Sequence, residues 1–235
     1  MRLGLGISIP GTSGLVQAAF SPLDLSPVLW LDAADTSTIT ESGGAVSQWD
    51  DLSGNGNDFV QATAADQPTT GATTFNSLNV IDFAADFMSG TVTFVQTTGW
   101  VFIVASWSAA VRNALYGGPS SVNDPGLYQS GSGSTGWTAI PATATTYTVG
   151  SSSTGDLLSA QHGSTSGLRK NGVALAESGG PQAAIDTDDL TTLGARGALR
   201  LTGFIAEVIV VDGTLTAGEI SDTETYLANK WGITL

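Results

Sequence analysis

From about residue 28 to the end, apolar positions fall in short runs or in alternation. That is the period-two signature of strands rather than the 3.6-residue period of helices. Such runs occupy residues 28–31, 45–49, 78–83, 91–95 and 100–107, then 146–149, 156–162, 167–169, 173–176 and 190–193. Residues 203–211 (GFIAEVIVV) are apolar on both faces, with Phe204, Val208 and Val210 pointing one way and Ile205, Ile209 and Val211 the other. Two apolar faces predict a strand inside a sandwich, and residues 100–105 (WVFIVA) read alike. Asn171-Gly172, between Arg169 and Val173, predicts a two-residue hairpin turn. The Ser/Gly-rich stretches 130–136 and 150–155 predict loops. The period changes once, at the end. Thr216-Ala217-Gly218-Glu219 is a capping box, and Ile220, Thr223, Leu227 and Trp231 share one helical face. Lys230 suits the last turn and Gly232 the stop, which predicts a helix over 216–230. About ten short strands and one closing helix predict an all-β, jelly-roll β-sandwich with one C-terminal α-helix.

Composition narrows the function classes. The 235 residues carry 7 Lys+Arg against 21 Asp+Glu, a net charge of −14. Seven cations do not make a phosphate-neutralising stripe, so no nucleic-acid partner is expected. Charged residues are 12 % of the chain, about half the ordinary share, and Gly, Ser and Thr fill the polar positions. The lack of cysteine excludes a disulfide framework and Cys-ligated zinc. No apolar run approaches a membrane-spanning length, so no membrane insertion is expected. At the start of the chain, Leu3, Leu5, Ile7 and Ile9 alternate with Gly and Ser up to Pro10. The interruptions suit a signal-peptide core poorly. Residues 1–22 therefore read as an extended N-terminal arm that adds a strand to a neighbour's sheet edge or lies in a groove, ahead of a sandwich over 23–235.

The candidate chemistry is sparse. Asp50, Asp51 and Asp58 lie in the densest acidic cluster, beside Asn55 and Asn57. Calcium wants six to eight hard oxygens, which makes these three the candidate ligands. The spacing fits no EF-hand loop, and the same residues serve as Asx-turn acceptors around Gly54 and Gly56. Glycosidase chemistry needs two carboxylates close together, and no i, i+2 acid run on a strand supplies them. Glu207 stands as a lone acid in an apolar strand, and His162 reads as an exposed turn residue with no nucleophile motif near it. The expectation is therefore no catalytic residues and no enzyme. Trp30, Trp49 and Trp231 read as core aromatics whose indole N–H groups need partners. Tyr116, Tyr128 and Trp137, in Gly/Ser-rich surroundings, are candidates to stack on sugar rings, with Asn123 and Asp124 bonding hydroxyls.

Residues 28–35 (VLWLDAAD), 46–59 (VSQWDDLSGNGNDF) and Gln67-Pro68-Thr69 resemble the opening of a concanavalin A-like lectin/glucanase domain. The variety is the laminin-G-like jelly roll of bacteriophage and prophage virion proteins. Residues 78–83 (LNVIDF), 169–174 (RKNGVA) and 205–233 fit the same pattern in the same order, and MRLGLGISIP followed by SPLDLSPVLWLDA is similar to the start of phage structural proteins. The resemblance covers the chain from about residue 21 onward and implies the fold more strongly than the function. It implies a structural protein on the outer surface of the virion, a capsid decoration protein held by its arm. Its partners would then be the major capsid protein or neighbouring copies. The alternative is an adhesin that binds host-surface glycans through the sandwich-end loops.

Overall fold

A computed structural model of the chain describes residues 19–95, 98–108, 111–118, 125–129, 136–140, 145–150, 152–163, 167–178 and 189–235. The candidate arm residues Leu3, Leu5, Ile7 and Ile9, and the candidate sugar ligands Asn123 and Asp124, lie outside them.

The fold is an all-β sandwich with one helix against its outer face. One layer is centred on the strand Thr202–Asp212, which pairs antiparallel with Thr98–Trp107 on one side. Its other side is shared by Leu29–Asp32 and Leu78–Ala84. Thr98–Trp107 continues to Ser152–Gly163 and Gly167–Lys170. The second layer runs from Met88–Thr93 through Asp189–Leu193, Ala114–Gly117 and Gly126–Gln129 to Gly136–Ile140 and Thr145–Thr148. Phe59–Val60 pairs with Met88–Thr93 of the second layer and with Ala45–Trp49, which Thr69–Phe75 links back to Leu78–Ala84 of the first.

Two hydrophobic clusters follow from the two apolar faces of the central layer. Between the layers, Val101, Ile103, Ile205, Val208 and Val210 meet Val92, Leu115, Leu127, Trp137 and Leu190. On the opposite face, Trp100, Phe102, Val104, Ile209 and Val211 pack against Leu227 and Trp231 of the helix. A strand covered on both sides must be apolar on both sides, which is why residues 203–211 carry so little alternation of polarity.

The central strand differs from strict alternation at one point. A bulge between Ile205 and Glu207 shifts the register against Thr98–Trp107. Ile205 therefore joins Val208 and Val210 in the inner core, whereas Phe204, Ala206, Ile209 and Val211 face the helix. One extra residue reverses the phase of a strand. It also leaves Glu207 on the helix side, paired across the sheet with Asp32.

Local signals set the other landmarks. Asn171 and Gly172 both have positive φ (47° and 77°) and join Lys170 to its partner Val173, the backbone of the expected two-residue hairpin. The helix spans Ala217–Trp231, with the Thr216/Glu219 capping box formed and Gly232 left-handed at its C-cap. Thr223, Glu224, Leu227, Ala228 and Trp231 are its buried positions, while 222, 225 and 229 face outward.

Candidate functional site

The exposed stripe of the helix and residue Phe20 form a cleft of about 530 Å³, lined by Phe20, Asp222, Thr225, Tyr226, Asn229 and Lys230. Positions 222, 225, 226 and 229 follow helical spacing, so the helix itself arrays them along one wall. The Phe20 and Tyr226 rings lie 6.0 Å apart at 59° and make an aromatic corner. Asp222, Thr225 and Asn229 are exposed, and their side chains hold no protein partner among the described residues.

Beneath this cleft lies a buried polar cluster that the lone-acid reading of Glu207 missed. Glu207 is fully buried, and its carboxylate accepts four donors. Oε1 takes Trp30 Nε1–H at 2.8 Å and the Tyr226 hydroxyl at 3.1 Å. Oε2 takes Lys230 Nζ and Trp231 Nε1–H, each at 2.7 Å. Lys230 Nζ also reaches Asp32 Oδ2 at 2.5 Å. Asp32 and Glu207 sit directly opposite each other on antiparallel strands, an arrangement that repels unless a cation bridges it. Lys230 is that bridge. Burial pushes the Glu207 carboxyl above its ordinary range and the Asp32 charge adds to the push, while Lys230 and the Trp231 N–H oppose it. Tyr226 is pushed well above the ordinary phenol range by burial and by the two carboxylates, which keeps it a neutral donor. The cluster gives the cleft a fixed floor, because Tyr226 and Lys230 are held from below. Of these residues only the indoles of Trp30 and Trp231 announced themselves in the sequence, as donors in need of an acceptor.

Two further clefts are less suited to a ligand. One, of about 620 Å³, is lined by residues including Thr36, Glu41, Thr70 and Asn79. Of its polar groups, Glu41 Oε2 accepts Gly44 N–H, and the Asn79 amide binds Ala33, Thr70 and Gly71. The other, of about 510 Å³, lies where Ser106, Trp107, Ser152 and Thr202 meet.

The residues expected to stack on sugars are placed elsewhere. Tyr116 and Trp137 are fully buried on strands, not displayed on loops. Trp137 meets Trp107 edge to face at 4.9 Å in the inner core. Cross-strand pairing of Trp137 with Gln129 turns its ring inward despite the Gly/Ser-rich segment beside it. Tyr128 is half-buried under the Arg196 guanidinium, 4.4 Å from the ring centroid. His162 is also corrected. It is fully buried, with Nε2 2.7 Å from the Tyr116 hydroxyl and Phe94 packed edge-on.

Asp50, Asp51 and Asp58 make turn contacts. Asp51 Oδ1 accepts the backbone amides of Trp30 and Ser53, and its Oδ2 accepts the Ser53 hydroxyl and Asn57 N–H. Asp58 Oδ1 accepts the Asp51 amide, and Asp50 Oδ1 accepts Gln48 Nε2–H. Among the described residues no three acidic or imidazole side chains converge as metal ligands, nor is any helix long and apolar enough to cross a membrane.

No protein-family model and no curated protein matches the sequence. Solved structures match the fold. A Trypanosoma rangeli sialidase in complex with sialic acid aligns with a TM-score of 0.57 at 13 % identity, over 86 % of this chain and 33 % of the enzyme. An arabinofuranosidase complexed with arabinofuranosyl-alpha-1,2-xylobiose aligns at 0.58 and 11 % identity, over 87 % and 59 %. The receptor binding domain of botulinum neurotoxin D aligns at 0.54 and 10 % identity, over 91 % and 57 %. The chain thus spans a third of the sialidase and under two thirds of the others. Together these define a jelly-roll β-sandwich. They also correct the expectation of a chain that is not an enzyme, because the sialidase and the arabinofuranosidase are glycoside hydrolases. At such identity the likeness shows the fold and only suggests catalysis.

Proposed function

We propose that this chain is a glycan-recognition module whose sugar site is the cleft on the exposed stripe of the terminal helix. The observation that carries the reading is the aromatic corner of Phe20 and Tyr226 set beside the unpartnered polar side chains of Asp222, Thr225 and Asn229. Sugars present apolar ring faces edged by hydroxyls, so an aromatic wall with convergent polar groups matches them on both counts. The volume falls within the span of about 300–1,000 Å³ usual for small-ligand sites. The sialidase and the arabinofuranosidase, which share the fold over 33 % and 59 % of their lengths, are themselves proteins that bind sugars. A glycan array probed with the intact chain tests it. Specific binding that is lost in Phe20→Ala and Asn229→Ala, with melting unchanged, is the expected result. Binding that survives both variants overturns this placement of the site.

A second reading rests on the sequence resemblance and on the alternation of Leu3, Leu5, Ile7 and Ile9. It holds that the module is displayed on the outer surface of a virion, attached through residues 1–22 to the major capsid protein or to neighbouring copies. Weak arm contacts repeated on a lattice gain avidity without new chemistry. Removal of residues 1–18 should then abolish incorporation into particles while the sandwich still folds. Normal incorporation of the truncated chain would count against it.

A further inference from the structure

We infer that the helix cleft selects its glycans by charge, taking neutral sugars and, more tightly, sugars that carry a protonated amine, and rejecting carboxylated and sulfated ones. The inference rests on the glycan reading of the same cleft and adds its ligand class. Recognition of an anionic sugar is strongest where a cation with free N–H groups meets it. Lys230 is the one cation lining the cleft among the described residues. Its ammonium has three N–H groups, and three acceptors already surround it: Asp32 Oδ2 at 2.5 Å, Glu207 Oε2 at 2.7 Å and the Tyr226 hydroxyl at 3.5 Å. The ammonium is thereby turned toward acceptors of the protein rather than toward a ligand carboxylate.

The other described cations are engaged elsewhere. Arg169 is bound to Glu224 on the sheet side of the helix, with Nε 2.7 Å from Oε1. Lys170 is bound to Asp156 at 2.8 Å. Arg196 and Arg200 lie over the rings of Tyr128 and Phe87, and Arg112 Nε donates to the Gln129 carbonyl.

Among the described residues, then, Asp32 and Glu207 share the single ammonium of Lys230, and Asp222 adds a further negative charge on the cleft wall. The local charge stays negative whether or not Glu207 carries a proton. The cleft also lies along the C-terminal half of the helix, where the aligned peptide dipoles favour cations. An anion entering it loses hydration against like charge and gains no counter-ion among the described residues. An ammonium gains Asp222, exposed on the rim one turn before Tyr226.

The test is an array that presents neutral, amine-bearing, carboxylated and sulfated glycans on one linker, probed with the intact chain at low and high salt. Binders are expected in the neutral and amine-bearing classes. Amine-bearing members should be favoured about two- to fivefold over neutral counterparts, in the range of one exposed ion pair. At high salt and in Asp222→Asn the ratio of amine-bearing to neutral binding should fall to about one. Binding concentrated in the carboxylated or sulfated classes, or an amine preference that survives Asp222→Asn, overturns the charge selection and leaves the glycan site standing. Binding to none of the four classes, or unchanged binding in Phe20→Ala and Asn229→Ala, overturns the glycan reading and the inference with it.

Discussion

Glu207 of the central strand and Lys230 of the terminal helix meet at 2.7 Å under the cleft, the acid fully buried and the lysine bridging it to Asp32. Removing the lysine leaves two carboxylates facing each other on adjacent strands, one without solvent. Lys230→Met should cost about 3–5 kcal/mol at neutral pH, the usual penalty for orphaning a buried charge. The Glu207 carboxyl is raised in the folded chain by burial and by Asp32. Its contribution is therefore fully present below the unfolded-state value and is lost as pH rises through the folded one. The loss in Lys230→Met should accordingly shrink at mildly acid pH, where Glu207 takes a proton. Urea denaturation of both proteins at the two pH values checks this, and an equal loss at both would refute it.

Asp156 gives the opposite sign. Burial alone would raise its carboxyl, but hydrogen bonds from Lys170 and Asn171 and the Lys170 charge outweigh it and hold the group below the ordinary range. Such a group stabilises the fold above the ordinary carboxylate value, and the gain is lost as pH falls through the lowered one. Asp156→Asn should therefore be less stable than the parent at neutral pH, with the difference closing on acidification. Thermal melts across the acid range would show the two curves converging.

The buried Tyr116–His162 contact fixes what its loss should do. Tyr116→Phe removes the hydroxyl 2.7 Å from His162 Nε2 while keeping the ring in the core. A cost of about 1–3 kcal/mol is expected, the penalty for leaving a buried polar group short of a partner. Because Tyr116 is far from solvent, glycan binding by the folded fraction should not change. Calorimetric unfolding paired with a binding titration separates the two effects.

At the start of the helix, the Thr216 hydroxyl accepts Glu219 N–H at 3.2 Å and the Glu219 carboxylate accepts Thr216 N–H at 2.7 Å. Thr216→Ala should cost about 0.5–2 kcal/mol. The same change should expose the helix end first, so hydrogen exchange at the helix amides should rise before that of the strand Thr202–Asp212.

Signals that act within a few residues were legible. The Asn171-Gly172 hairpin, the capping box and the Gly232 stop depend on local φ, ψ and side-chain reach, and each is realised. The need of Trp30 and Trp231 for an acceptor was legible too, but not the acceptor. Glu207 lies 177 residues from Trp30 and 24 from Trp231. The bulge beside Glu207 hid as well, because one inserted residue in an apolar strand leaves no mark on a hydrophobic pattern. Tyr116 and Trp137 misled for a related reason: Gly/Ser-rich neighbours suggested loops, whereas strand pairing decides where a ring points.

By itself the sequence determined the class of fold: twofold-apolar strands, punctuating turns and one closing helix have few ways to bury their faces other than as a sandwich with a helix outside. Only the tertiary structure decided which side chains form a site. Asp32, Glu207, Tyr226 and Lys230 converge through sheet register and helix docking, and Phe20 joins them from the other end of the chain. Such contacts are set by the packing of distant segments, and no local pattern along the chain encodes them.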